Sequence, residues 1–199
     1  MRAKLGILAT ILGVVLTIDR ITKVWAEEVL VTRSMELLGG LLPLTLAYNK
    51  GAAFGMSIGE DSRWFFIPVT FVALGLLVVL YRQAEDNDRL RLVSLSLVIA
   101  GALGNLYDRI FISEGVVDFL GPVNLGFWNF PIFNVADISI TCGAILLALS
   151  FWQEERLERQ RRTEAGVAVV EPTSDGSSEG ASSVAVRSSD PASAADPTS

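Results

Sequence analysis

The chain contains no histidine among its 199 residues. Histidine is the usual general base near neutral pH and a common zinc ligand, so its absence excludes serine–histidine and cysteine–histidine nucleophile pairs and the zinc sites built on histidine. A single cysteine, Cys142, excludes an intrachain disulfide, and we interpret it as a small core residue because it stands inside an apolar run. If the protein is an enzyme, carboxylates must carry out its proton transfers.

Basic residues are rare in the C-terminal segment, residues 163–199, and common in the rest of the chain. The formal net charge is −6, but residues 163–199 hold six acidic residues against Arg187 alone, which leaves 16 acidic and 15 basic residues before them. No basic stripe indicates a nucleic-acid partner. Residues 163–199 are rich in Ser, Ala, Pro and acidic residues, so we expect a disordered cytoplasmic tail there and a single membrane domain in residues 1–162.

Apolar residues are abundant instead. They make up 51% of the chain, and the mean hydropathy is +0.46, too high for a soluble domain of this length. Four apolar segments, approximately 5–25, 63–81, 92–111 and 132–152, are long enough to cross about 30 Å of hydrocarbon. We therefore predict a mainly α integral membrane protein with four transmembrane helices.

Lysine and arginine set the expected orientation of these helices. They precede the first segment, join the second to the third and follow the fourth, at Arg2, Lys4, Arg82, Arg89, Arg91, Arg156, Arg159, Arg161 and Arg162. The positive-inside rule then predicts that both termini are cytoplasmic. The first segment also has features of a cleavable signal, ending at "VWA", but Asp19, Arg20 and Lys23 interrupt its apolar run. The outer loop containing "LPLTLAYN" predicts a small extracytoplasmic β-element.

Polar residues collect at the predicted outer end of the helices. Asn105 and Arg109 share a face of the third helix at i, i+4, and Asn134 and Asp137 share a face of the fourth at i, i+3. Asp118 lies in the loop that joins these helices, and Gly101 and Gly104 favour the close approach of a neighbouring helix. The sequence permits Asp118 to meet Asp137.

Two carboxyl groups a few Å apart do not both ionise easily, so they share a proton. The charged group then takes a proton from water while the neutral group hydrogen-bonds a scissile carbonyl, which is aspartic-protease chemistry without histidine. Intramembrane acids also mark ion and proton pathways, so a small polytopic transporter or channel is the alternative. The cytoplasmic halves of the last two helices offer only serines for such a pathway.

Each polar residue also has an interpretation without catalysis. Asp137 is suited to the N-terminus of a helix, and Asp118 to a solvated loop. Asn105 and Asn134 are suited to hydrogen bonds between helices, and Arg109 to an interfacial anchor paired with a neighbouring acid or a lipid phosphate.

Five sequence blocks resemble, in order and spacing, the motifs of the lipoprotein signal peptidase (signal peptidase II) family. They are "DRITK" at 19–23, "NKGAAFG" at 49–55, "GALGNLYDR" at 101–109, "VVDF" at 116–119 and "FNVAD" at 133–137. The resemblance implies a bacterial inner-membrane aspartyl endopeptidase with its active site near the outer face. It removes the signal peptide from diacylglyceryl-modified prolipoproteins just before the lipidated cysteine, and it needs no metal or other cofactor.

The resemblance also implies roles for individual residues. Asp118 and Asp137 match the catalytic pair. Further matches are the polar positions of the substrate site (Asn49, Asn105, Arg109 and Asn134), and the supporting residues Asp19, Lys23 and Asp108. The resemblance implies a β-cradle and a short surface helix, and we expect a monomer in contact with membrane lipids. Arg20 and Lys50 depart from the usual motif residues, and the sequence leaves open whether Arg20 alters how Asp19 is paired.

Overall fold

The computed structural model describes residues 2–51 and 63–168. Four helices in it are long and apolar enough to cross a membrane: α1 (Arg2–Val29), α2 (Arg63–Gln83), α3 (Arg89–Phe111) and α4 (Val135–Ala168). The four predicted spans are therefore confirmed as helices. Helix α4 continues six residues beyond the predicted domain boundary at 162. The rest of the predicted tail, and residues 52–55 of the "NKGAAFG" block, lie outside the described residues.

Helix α3 is the central helix of the bundle. In the most apolar stretch of α3, 56% of the residues are buried, whereas the corresponding share is 6% in α1 and in α2. Its Leu92, Leu95 and Ile99 pack with Leu74 and Tyr81 of α2. Large apolar side chains on the outer faces remain exposed, as lipid-facing residues must be, including Val14, Ile21, Phe71, Val72, Leu76, Ile145 and Leu149.

Cys142 belongs to this outward-facing surface. The prediction that it is a core residue was wrong, because an apolar run in a membrane helix does not distinguish the side that faces lipid from the side that faces protein.

Glycine residues let α3 approach its neighbours α1 and α4 closely. A Cβ atom on Gly101 would lie 2.3 Å from the carbonyl oxygen of Ala136 on α4, and one on Gly104 would lie 2.8 Å from Oδ2 of Asp19 on α1. Gly143 of α4 faces α3 at similarly short distances. The prediction that Gly101 and Gly104 permit close helix approach is confirmed.

The segments between α1 and α2 and between α3 and α4 together form a small antiparallel sheet of three strands, paired in sequence order. Its strands are β1 (Met35–Leu37), β2 (Leu42–Asn49) and β3 (Val116–Leu120), and a separate hairpin joins β4 (Val123–Asn124) to β5 (Asn129–Phe130). This confirms the predicted β-element. Within the described residues, the segments that join the four helices contain one short helical segment, a single 3-10 turn at Leu38–Gly40.

Apolar side chains hold this sheet against the end of α1. Ala26 of α1 and Leu30, directly after its end, form a buried cluster with Leu44 of β2 and Phe119 of β3. Trp25 meets the ring of Phe119 edge to face, with 6.5 Å between ring centroids. The sheet is therefore fixed to the helix that carries Asp19 and Lys23.

The backbone also connects β3 to the start of α4. Phe133 donates its N–H to the carbonyl of Leu120 at 2.9 Å, and its own carbonyl accepts from the N–H groups of Phe119 and Leu120 at 3.1 and 2.8 Å. Since Phe133 immediately precedes Asn134, these bonds place the first turn of α4 beside Asp118 of β3.

Candidate active site

A reciprocal cap fixes the start of α4. The side-chain oxygen of Asn134 accepts the N–H of Asp137 at 3.0 Å, and Oδ2 of Asp137 accepts the N–H of Asn134 at 3.1 Å. This is a capping box made with Asn and Asp, and it satisfies two helix N–H groups at once. The interpretation of Asp137 as a helix N-terminal carboxylate is therefore correct as far as it goes, because the cap also fixes the direction of its other oxygen.

Two asparagine amides connect the two carboxylates. Asn134 donates through Nδ2 to Oδ1 of Asp118 at 2.7 Å and to Oδ1 of Asn105 at 3.0 Å. Asn105 in turn donates through Nδ2 to Oδ1 of Asp137 at 2.7 Å. The structure thus brings Asp118, Asp137, Asn105 and Asn134 together from three elements, as the sequence permitted. The two amides do link helices, but they do so through the carboxylates.

Asp118 is 3% exposed, so it is not a solvated loop acid. Burial, and after it the negative charge of Asp137, raise the pKa of this carboxyl to about 7. Hydrogen bonds from Asn134 and Asn49 and the charge of Lys23 act in the opposite direction on this pKa. Asp118 therefore retains a proton up to about neutral pH.

Lys23 is the centre of a buried charge cluster next to the Asp118–Asp137 pair. Its ammonium group lies 2.9 Å from Oδ2 of Asp19, 2.7 Å from Oδ2 of Asp108 and 3.2 Å from Oδ1 of Asn105. The side chain of Lys23 is fully buried. The predicted i, i+4 pair of Asp19 and Lys23 is therefore present, and Lys23 also fixes the orientation of the Asn105 amide.

The two acids of the cluster also accept backbone hydrogen bonds from α4 and β3, the elements that carry Asp137 and Asp118. Oδ1 of Asp19 accepts the N–H of Ala136 at 3.0 Å, in the first turn of α4. Oδ2 of Asp108 accepts the N–H of Val117 at 3.3 Å, next to Asp118 in β3. The charge cluster therefore joins α1, α3, β3 and α4 at one point.

Arg109 and Asn49 lie at the edge of the network. Arg109 donates to the carbonyl of Asn105 at 3.2 Å, and its guanidinium lies 5.6 Å from the ring centroid of Phe66. The negative charges of Asp137 and Asp118 also attract the Arg109 guanidinium. The side-chain oxygen of Asn49 accepts the N–H of Gly51 at 2.8 Å, so the predicted turn is present, and the same side chain hydrogen-bonds Asp118.

The two residues that depart from the usual motifs do not disturb the cluster. Arg20 lies over the ring of Tyr107, 5.4 Å from its centroid, while Asp19 is paired with Lys23. Lys23, not Arg20, is therefore the ion-pair partner of Asp19. Lys50 acts through its charge on Glu114, whose pKa lies below its ordinary value chiefly because Ser113 donates a hydrogen bond to it.

The family model described as signal peptidase (SPase) II matches residues 11–153. The chain belongs to the signal peptidase II family. It is 40% identical over 161 residues to the lipoprotein signal peptidase of Geobacter metallireducens, a match that covers 78% of this chain and 96% of that protein. It is also 40% identical over 153 residues to the lipoprotein signal peptidase of Maridesulfovibrio salexigens, with 74% and 97% covered.

The fold is similar to that of solved structures as well. A structure described as a bacterial membrane enzyme superimposes with a TM-score of 0.65 at 34% identity, covering 75% of this chain and 90% of that one. This protein is accordingly a multi-pass membrane protein and an aspartic endopeptidase of the signal peptidase II type. Among residues 2–51 and 63–168, no group of three or more acidic or cysteine side chains is arranged to hold a metal ion.

The sequence did not reveal the backbone partners of the site. The N–H groups of Val117 and Ala136 and the carbonyl of Phe133 position the acids, but a backbone contact carries no residue-type signal. The contact of Phe66 with Arg109 had no signal either, because the aromatic residues at the start of α2 also suit a membrane interface.

Proposed function

We propose that this endopeptidase removes the signal peptide from diacylglyceryl-modified prolipoproteins, just before the lipidated cysteine, with a water activated between Asp118 and Asp137. The observation that carries the proposal is the pair of asparagine amides, Asn105 and Asn134, that connect one carboxylate to the other. Two acids held in this way on separate elements act on one water, and the chain has no histidine to take their place.

The elevated pKa of Asp118 assigns the starting protonation of the pair. Asp118 begins neutral and donates a hydrogen bond to the scissile carbonyl oxygen, while Asp137 begins ionised and takes a proton from the water. The water oxygen then forms a bond to the carbonyl carbon. The proton on Asp137 passes to the leaving amide nitrogen as the C–N bond breaks. The titration belongs to the pair as a unit.

The polar residues around the pair have different tasks in this mechanism. We assign Asn49, Asn105, Arg109 and Asn134 to the lining of the substrate site. The amides of Asn105 and Asn134 act chiefly through the carboxylates that they hold. Arg109 is the cationic side chain at the edge, and a peptide carbonyl is the substrate group that suits it.

The distribution of buried polar groups favours a peptidase over the alternative of a transporter or channel. In the half of α3 away from the site, the buried polar side chains are Ser94 and Ser96, whose hydroxyls donate to Leu90 and Leu92 of their own helix at 2.6 and 2.7 Å. Such groups offer no chain of proton carriers across the bilayer. The polar network is confined to one end of the described helices.

The distribution of lysine and arginine supports a location with both termini in the cytoplasm and the active site near the outer face of a bacterial inner membrane. The partners are then the lipidated precursor and membrane lipids, and the enzyme acts as a monomer. We expect the variant Cys142→Ala, Asn124→Cys to react with an impermeant thiol reagent from the outside of whole cells. Reaction only after access to the cytoplasmic side would contradict this orientation.

Substitution of the two acids tests the mechanism. Asp118→Asn and Asp137→Asn keep the shape of the side chain but remove the proton donor or the base, so each is expected to abolish cleavage. The double variant should be no worse than either single one, because the two groups act as one unit. Asp86→Asn, in an exposed loop, is the matched control and should keep full activity.

The assay is the conversion of a diacylglyceryl-modified precursor by purified enzyme, normalised to folded protein. Appreciable turnover by either single variant would eliminate the two-acid mechanism. Wild-type activity is expected to be the same with and without a chelator, and a loss on chelation would indicate a metal site instead.

A further inference from the structure

A cavity lies between α1 and α3, at the same end of the bundle as the polar network. Its volume is about 470 Å³, and its apolar wall consists of Leu16 from α1 with Leu103, Leu106 and Ile110 from α3. Arg20 and Tyr107 also line it, and both side chains are exposed. A cavity of this size is within the range of ligand-binding pockets, roughly 300 to 1,000 Å³.

This cavity is separate from the candidate active site. Successive residues of a helix are rotated by about 100°, so the stripe of Leu103, Tyr107 and Ile110 is opposite to the one that carries Asn105 and Arg109. A ligand in the cavity therefore contacts the outer side of α3 and leaves the catalytic pair accessible.

The charges around the cavity decide how a ligand is oriented. Asp19 and Asp108 form part of the wall, but their carboxylates are bound to Lys23, and the three charges sum to one negative charge. An anion is therefore unfavourable deep in the cavity. Arg20 supplies the positive charge at the exposed side, so a negatively charged headgroup fits there and an apolar chain fits the interior.

The surroundings of Arg20 are those of a membrane interface. Its guanidinium lies 5.4 Å from the ring centroid of Tyr107, which in turn packs on Phe111 with 4.7 Å between centroids. Tyr107 is four residues before the end of α3, about 6 Å along the helix axis. Arginine and aromatic side chains at this depth meet the lipid headgroups.

We propose that this cavity binds one acyl chain of an anionic phospholipid, whose phosphate group is held by Arg20. The proposal rests on the membrane location and on the α1–α3 cavity, and it does not depend on the roles of Asp118 and Asp137. The lipid acts as a structural ligand that fills the outer side of the α1–α3 contact, opposite the substrate.

Retention of lipid by the purified protein tests the headgroup contact. Wild-type protein in detergent is mixed with phosphatidylglycerol or phosphatidylcholine, and the bound lipid is counted by native mass spectrometry. We expect stronger retention of phosphatidylglycerol, and Arg20→Gln should weaken it by about five-fold, the usual effect of one basic residue near an anionic lipid, without changing phosphatidylcholine. Arg82→Gln, at the far end of α2, is the charge-matched control and should change neither. Equal retention of the two lipids, or equal losses in Arg20→Gln and Arg82→Gln, would overturn the proposal.

The position of the chain is tested with a phosphatidylglycerol that carries a photoreactive acyl chain. Cross-links should concentrate at Leu16 and Leu103 and be displaced by unlabelled phosphatidylglycerol, and Leu103→Trp, which fills the cavity, should remove them. Cross-links spread equally over the exposed face of α2, at Val72 and Leu76, would show ordinary bilayer lipid and refute the site. Peptidase activity of each variant verifies that it has folded.

Discussion

Replacement of the buried Lys23 by methionine separates the stability of the fold from the alignment of the active site. Lys23 is fully buried and lies within 3 Å of a carboxylate oxygen from each of Asp19 and Asp108. Lys23→Met keeps the length and apolar stem of the side chain but leaves both acids buried without their cation. Loss of one partner from a buried ion pair costs about 3 to 5 kcal/mol. Since folded proteins are stable by only about 5 to 15 kcal/mol, most of the margin is removed.

A neutral triple variant, Lys23→Met with Asp19→Asn and Asp108→Asn, carries no buried charge at this position. Its asparagine oxygens still accept the N–H groups of Ala136 and Val117, so most of the lost stability should return. Activity should not return fully with it, because the Asn105 amide has lost the charged one of the two donors, Lys23 and Asn134, that orient it toward Asp137. The loss of one such charge-assisted hydrogen bond, about 1.5 to 3 kcal/mol, corresponds to at least a ten-fold fall in kcat with KM little changed.

The measurements are unfolding in detergent, followed by loss of helical circular dichroism, and turnover of a lipidated precursor at saturating and limiting substrate. Wild-type stability in Lys23→Met would refute the role of Lys23 as the necessary counter-charge. Full kcat in the triple variant would refute its role in orienting Asn105. Asp86→Asn, exposed and outside the cluster, serves as the control.

Two further predictions concern the pKa of Asp118 and the α3–α4 contact. The hydrogen bond from Asn49 stabilises ionised Asp118, so Asn49→Ala should raise the pKa of Asp118 above about 7 and move the alkaline limb of the kcat profile upward by roughly 1 pH unit, as expected for the loss of one hydrogen bond to a charged group. An upward shift of the acid limb, with the alkaline limb unchanged, would mean that Asp118 works in its ionised form. Gly101→Ala should destabilise the fold by about 1 to 3 kcal/mol because its Cβ meets α4, whereas Gly75→Ala, with open space around it, should be neutral or stabilising in the same unfolding assay. Equal stability of the two alanine variants would show that α3 and α4 are free to separate.

The sequence predicted the features that depend on helical periodicity and residue type. The four helices, the faces shared by Asn105 with Arg109 and by Asn134 with Asp137, and the close approach at Gly101 all follow from spacing along one helix. These are local properties, so a single sequence is sufficient for them.

Contacts between distant segments could not be predicted in the same way. The bonds of Phe133 to β3 use only backbone atoms, and the two bonds of Lys23 to Asn105 and Asp108 join α1 to α3, about 80 residues apart. The exposure of Cys142 depends on which side of α4 faces lipid, and an apolar run is the same on both sides. Knowledge of the tertiary packing is needed for each of these.

The position of Lys23 and Asp19 on one helix has a consequence for how the chain enters the membrane. A lone charge in a nascent transmembrane segment is strongly unfavourable, about 2.5 to 3.5 kcal/mol at its centre during insertion. Asp19 and Lys23 are one turn apart and make their ion pair within α1, so this pair needs no other helix and lowers the cost of both charges before α3 has been synthesised. Asp108 of α3 then arrives at a cation that is already in place. The first ion pair of the buried cluster is thus local to α1, and only its second pair depends on α3.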